Sequence, residues 1–138
     1  MKSKYYRKDF LTKTEKEFYN FLIQIESEKN VKIIPQINLG TIIEKRKSKL
    51  DKYRNELFKN IDFGIFDNEF NLLFLIEFND KSHNKPDRKE RDNKVKKICK
   101  ITGIKLIPIW YSEYAEEKEL IRKKILANIQ IEKEKIGD

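Results

Sequence analysis

An unbroken apolar run, Leu72-Leu73-Phe74-Leu75-Ile76, ends directly on a carboxylate, Glu77. Past Phe78 it opens into a polar cluster, Asn79-Asp80-Lys81-Ser82-His83, which carries the single histidine of the chain. A strand that is apolar at every position has both faces covered, so it belongs in the middle of a sheet with further layers on either side. The segment before it, "NIDFGIFD", is also β-rich, and the turn residues Asp67-Asn68-Glu69 separate the two. Two such runs around a tight turn predict a β-hairpin.

The flanking segments complete one architecture. Thr12 or Thr14 can cap a helix over 14–29, with Glu15 or Glu17 as first-turn acid and Phe18, Phe21, Leu22 and Ile25 as its apolar stripe. "VKIIPQINL" predicts a strand over 31–39, placed at an edge or bulged by Pro35, with Gly40 ending it. Residues 41–59 are charged with sparse apolar positions and read equally as helix or loop. Pro86 starts a helix with Val95, Ile98, Cys99 and Thr102 inward and Gly103 closing it. "IKLIPIWY" predicts a buried strand over 104–111, with Trp110 in the core. Ser112 caps a final helix over 113–135, striped by Ala115, Ile121, Ile125 and Ile129. The expected fold is α/β: a mixed four-stranded sheet flanked by helices on both faces, with an extra C-terminal helix. The 138 residues suit one domain, 1–138, that opens with a basic arm at 1–10.

Charge narrows the function. There are 31 Lys and Arg against 23 Asp and Glu, a net charge of +8, and a small basic domain attracts polyanions, nucleic acid above all. One cysteine excludes an intramolecular disulfide and fits a reducing compartment. No apolar run approaches the ~18 residues of a membrane helix, and the N-terminus has no apolar signal core. These features predict a cytoplasmic protein without a membrane partner.

Asp62 and Glu77 lie at one end of the hairpin, where cross-strand neighbours converge. Asn79 shares a strand face with Glu77 because side chains alternate with period two. Two carboxylates beside apolar strands repel unless a cation sits between them. Mg²⁺ suits such a pair, with Mn²⁺ able to take its place, because it binds through one or two carboxylates, waters and substrate phosphate. Arg88, Arg91 and Lys94 recur every three residues, so the next helix presents a cationic face suited to a phosphate diester.

The series "FLTKTEKEFY", "IIPQINL", "NIDFGIFD", "LIEFNDKSH" and "RKERDNKVKKICKITGIKLIPI", spanning about residues 10–110, resembles the restriction-endonuclease-like PD-(D/E)XK superfamily. Within it the chain is most similar to a bacterial family of unknown function, number 2726, and it is also similar to very-short-patch-repair-like nucleases. The resemblance implies an αβββαβ core and metal-dependent hydrolysis of nucleic-acid phosphodiesters, DNA being the expected substrate. It implies that Asp62, Glu77, the Phe78 carbonyl and Glu15 hold the metal. Gln36, His83, Arg91, Asp92 and Lys94 match positions that line such sites, and Lys81 and Arg88 join the expected nucleic-acid contacts. One departure stands out: the superfamily places lysine two residues after the second acid, where this chain has Asn79. Lys81, Lys94, Lys97 or His83 is then expected to supply the missing group. A domain this small is expected to need a homodimer to cut both strands.

Each residue also has a plainer reading. Asp62 can bond nearby backbone, Glu77 can pair with Arg88 or Arg91, Asp92 can form an intrahelical or interhelical ion pair, His83 can serve helix entry, and the basic helix face can simply be solvated. Asn79 motivates a rival function, a catalytically inactive nucleic-acid-binding module. A protein-interaction partner in a repair or defence assembly is the other.

Overall fold

The computed structural model describes residues 3–46, 57, 59–80 and 86–137, with the backbone alone at 86–89 and 91. The sheet has the order β1-β2-β3-β4. Strands β1 (Val31–Asn38), β2 (Asn60–Asp67) and β3 (Leu72–Asn79) form an antiparallel meander. Strand β4 (Leu106–Trp110) pairs parallel to β3. The parallel step requires a crossover, which is helix α2 (Pro86–Thr102). The expected mixed four-stranded α/β fold is the observed one.

Helix α1 (Lys13–Lys29) begins where local chemistry favours it. The Thr12 hydroxyl accepts from the Glu15 N–H at 3.2 Å, and Glu15 Oε1 accepts from the Thr12 N–H at 2.7 Å. This reciprocal capping box satisfies two backbone donors that would otherwise lack partners. Phe18, Leu22 and Ile25 then pack on the sheet. Helix α2 ends at Gly103, whose φ of +72° is open to glycine and costly for other residues. In mid-sheet, Gly64 lets β1 close on β2: a Cβ there would lie 3.3 Å from Ile37 Cδ1.

The core forms two layers. One cluster joins Phe18, Leu22, Ile25, Phe63, Phe74, Ile76, Phe78 and Ile109 with Tyr114, Ile121, Ile125 and Ile129. The other joins Ile37, Leu39, Ile61 and Leu75 with Val95 and Cys99 of α2. Leu73, Phe74, Leu75 and Ile76 are all buried, as a central strand covered on both faces demands. Edge strand β1 carries Pro35, and next to it Gln36 turns to φ +53°, dropping out of the ladder between the pairs Pro35–Phe63 and Ile37–Ile61. Pro35 thus falls where a missing N–H and an irregular ladder are tolerated.

Several expectations need correction. The C-terminal helix expected over 113–135 is two helices, α3 (Tyr111–Glu116) and α4 (Lys118–Gly137). Glu117 leaves helical geometry at φ −134°, ψ 57°. The break lets Tyr111 and Tyr114 pack on Phe78, with ring centroids at 6.0 and 6.4 Å, while α4 turns its isoleucines onto the sheet. Ser112 is therefore no cap, since the cap position is Trp110, and Tyr114 is buried in place of the exposed Ala115. Trp110, expected in the core, is 42% exposed because it lies at the end of the edge strand β4. Thr102 is exposed, its hydroxyl bonded back to the Ile98 carbonyl at 2.8 Å. β1 ends at Asn38, and a 3₁₀ turn, Leu39–Thr41, follows. Most of the ambiguous segment, 47–56 and 58, lies outside the described residues. Among the described residues no helix is long and apolar enough to cross a membrane.

Candidate functional site

Antiparallel pairing brings the start of β2 beside the end of β3. Phe63 pairs with Ile76, so Asp62 comes opposite Glu77. The Phe78 N–H donates to Asp62 Oδ2 at 2.8 Å. The start of α1 lies at the same end of the sheet, as does Asp92 of α2. Together they enclose a cleft of about 230 Å³ lined by Thr12, Glu15, Lys59, Asn60, Asp62, Glu77, Phe78, Asn79, Asp80 and Asp92.

The floor beneath this cleft is rigid and aromatic. The Phe78 ring stacks on Phe18 at 4.5 Å and 15°, and Phe18 meets Tyr114 edge-on at 5.2 Å. Such contacts each contribute about 0.5–1.5 kcal/mol beyond burial. They hold the Phe78 backbone, and with it the N–H that orients Asp62.

Electrostatics set the site apart. Glu15, Asp62, Glu77, Asp80 and Asp92 contribute five carboxylates, and among the described lining residues Lys59 alone is cationic. Burial pushes the Asp62 carboxyl up to about 7. The Phe78 N–H opposes that rise, while the charges of Glu15 and Glu77 and a hydrogen bond with Glu15 add to it. A buried acid facing two more acids is relieved by a proton or by a cation. Oxygen donors in this number suit a hard ion such as Mg²⁺, which needs one or two carboxylates and keeps waters. Among the described residues no group of three or more histidine, cysteine, aspartate or glutamate side chains is already arranged to hold a metal ion.

Lys59 was not anticipated. It lies just before β2, and its ammonium sits 2.6 Å from Asp92 Oδ1 and 3.7 Å from Glu77 Oε1. It provides a positive charge beside Glu77, where Asn79 cannot. Its signal in the sequence is slight: a lysine three residues before Asp62, outside any periodic pattern. Asp80, which accepts from the Thr14 hydroxyl at 2.7 Å, and Thr12 and Asn60 were missed as well. Asn60 shares the strand-face parity of Asp62, a signal that was available.

The expected residues divide. Asp62, Glu77, Phe78, Asn79 and Glu15 meet in the cleft. Asp92 forms an ion pair, but with Lys59 of the segment before β2 and not within or between helices. Gln36 stands opposite Asp62 in the β1–β2 register but does not line the cleft. Lys94 is exposed on α2 and is not among the residues lining the cleft, since Val95 and Cys99 fix which side of the helix turns inward. Lys81 and His83 lie outside the described residues. Arg88 and Arg91 belong to α2, but their side chains lie outside what is described. On its other side Glu77 borders a second cavity of about 250 Å³ with Lys96, Cys99 and Lys100. Burial, and then the charge of Glu77, raise the Cys99 thiol above its ordinary range, which keeps it unreactive.

The profile of a family described as protein of unknown function (DUF2726) matches residues 7–128. The chain belongs to the DUF2726 family. Thr12, all the other residues of the cleft and the whole sheet fall inside the matched span. No curated protein matches this DUF2726 chain, and no solved structure does.

Proposed function

We propose that this protein is a metal-dependent nuclease-like domain of PD-(D/E)XK type that hydrolyses nucleic-acid phosphodiester bonds, with DNA as substrate. The observation that carries the reading is Asp62 opposite Glu77, at the end of a buried strand, with Lys59 beside the pair. Asp62 and Glu77 would hold Mg²⁺, or Mn²⁺ in its place, with the Phe78 carbonyl and Glu15 as further candidates. When bound, the ion would polarise the phosphoryl group and lower the pKa of water.

The chain's own residues account for the rest. The Phe78 N–H holds Asp62 in one orientation. The capping box holds Glu15 at the cleft rim. The Lys59 ammonium offsets charge that builds on the phosphate as water adds to phosphorus and the ester P–O bond breaks. Asn79 offers an amide that orients water or a phosphate oxygen, and Arg88, Arg91 and Lys81 contribute charge along the strand. Cleavage of both strands of a duplex is assigned to a homodimer.

The test is digestion of supercoiled plasmid and of single-stranded DNA with Mg²⁺, Mn²⁺ or EDTA, beside Glu77→Ala. Metal-dependent cleavage that disappears in the variant supports the nuclease. A second reading rests on Asn79 in the lysine position: an inactive nucleic-acid-binding module. Salt-sensitive binding without cleavage in any metal favours that module. Absence of both binding and cleavage favours a protein-interaction role.

A further inference from the structure

Residues 3–10 play no part in the chemistry proposed for the cleft. They read Ser3-Lys4-Tyr5-Tyr6-Arg7-Lys8-Asp9-Phe10 and belong to neither helix nor strand. Tyr5 is 88% exposed, Tyr6 87% and Phe10 65%. Three large rings within six residues, all turned to water, are a group rather than scattered surface residues. Lys4, Arg7 and Lys8 are interleaved with them against the single acid Asp9.

The arm is anchored where it matters. Leu11 is buried, and Thr12 both caps α1 and lines the cleft. Tyr6 is six residues from Thr12, so it can reach no farther than about 20 Å from the rim. Inside the cleft the charge is mostly negative, which repels a polyanion. The attraction that brings a nucleic acid to the cleft must come from outside it, and the arm carries three cations on the segment that leads into Thr12.

Rings and cations together select the ligand. Cations alone would hold any polyanion. Tyrosine and phenylalanine rings add a π-face, and only an unpaired base offers a free face to meet it, since duplex bases are already stacked. We infer that the arm is a stacking platform for unpaired nucleotides. It deepens the nuclease reading, on which it rests for the chemistry: the substrate would carry a single-stranded segment beside the bond to be cut.

The test is binding by the full chain in EDTA, followed by fluorescence anisotropy, so cleavage is not needed. The probes are labelled single-stranded deoxy- and ribo-oligonucleotides and a duplex of the same sequence, each over a range of salt. Two variants are compared with wild type: Tyr5→Ala/Tyr6→Ala/Phe10→Ala, and Lys4→Gln/Arg7→Gln/Lys8→Gln. The ring variant is expected to lose about tenfold or more in single-strand affinity, with its salt slope unchanged and duplex binding within about twofold of wild type. The cation variant is expected to flatten the salt slope. Both should keep the wild-type melting temperature, because the arm is exposed. Ring-dependent binding of either single strand supports the inference, and the tighter one identifies the sugar. A ring variant that binds single strands like wild type, or that loses duplex binding equally, overturns it. Metal-dependent cleavage by that variant at the wild-type rate would then leave the nuclease reading intact, so the two failures are distinguishable.

Discussion

The ammonium of Lys59 sits 2.6 Å from Asp92 Oδ1, joining the segment before β2 to helix α2 across the mouth of an acidic cleft. Its second carboxylate neighbour is Glu77, at 3.7 Å. Lysine is thus held beside the second acid by tertiary contact, while position 79 holds asparagine.

Lys59→Met is expected to reduce cleavage at least about tenfold in the nuclease assay, since one donor to the developing charge is lost. The loss in stability should be small, about 1 kcal/mol, because the Lys59 and Asp92 side chains are 21% and 28% exposed. Urea titration separates the two effects. A variant that cleaves like wild type would remove Lys59 from the mechanism.

Asp62 makes the stability of the metal-free protein depend on pH. Its carboxyl titrates near 7 when folded, against 3.8 for the ordinary group. Between those values the folded chain binds more protons than the unfolded one, so this group's contribution to stability falls as pH rises from about 4 to 7. Melting temperatures across that window should decline more steeply for wild type than for Asp62→Asn. Adding Mg²⁺ at pH 7.5 should raise the melting temperature of wild type and leave Asp62→Asn unmoved. Parallel curves for the two proteins would refute the assignment of a strained carboxylate.

Phe18 ties the site to the core. It is fully buried and packs against Phe63, Phe78 and Tyr114. Phe18→Ala should cost about 3–5 kcal/mol, seen as a melting temperature lowered by roughly 10–17 °C. Phe18→Leu keeps much of the volume and should cost less. Equal losses would show that volume matters little here.

Thr12→Ala removes one half of the capping box and should destabilise by about 1 kcal/mol in chemical denaturation. It also frees Glu15, so activity should drop while Thr12→Ser remains near wild type in both measurements. Loss of stability by the serine variant would mean that the methyl group, not the hydroxyl, is what matters.

Much of this protein is legible along the chain. Capping chemistry at Thr12 and Glu15, the apolar run Leu72–Ile76 and the turn at Asp67 act within a few residues, so their consequences can be read in order. The same locality made Asp62 and Glu77 neighbours: one hairpin register decides it. Where a pattern depended on distant packing, reading it failed. Trp110 looks like a core residue until β4 proves to be an edge strand, and residues 113–135 look like one helix until Tyr111 and Tyr114 are drawn onto Phe78.

By itself, then, the sequence determined the order of elements, the central strand and the acidic pair, because periodicity and hairpin register are local properties. Only the tertiary structure decided which cation faces that pair. Lys94 falls within the expected motif series, yet Val95 and Cys99 fix the side of α2 that turns inward and leave Lys94 in water. Lys59 stands 18 residues before Glu77 in the sequence and reaches it because β2 folds back along β3.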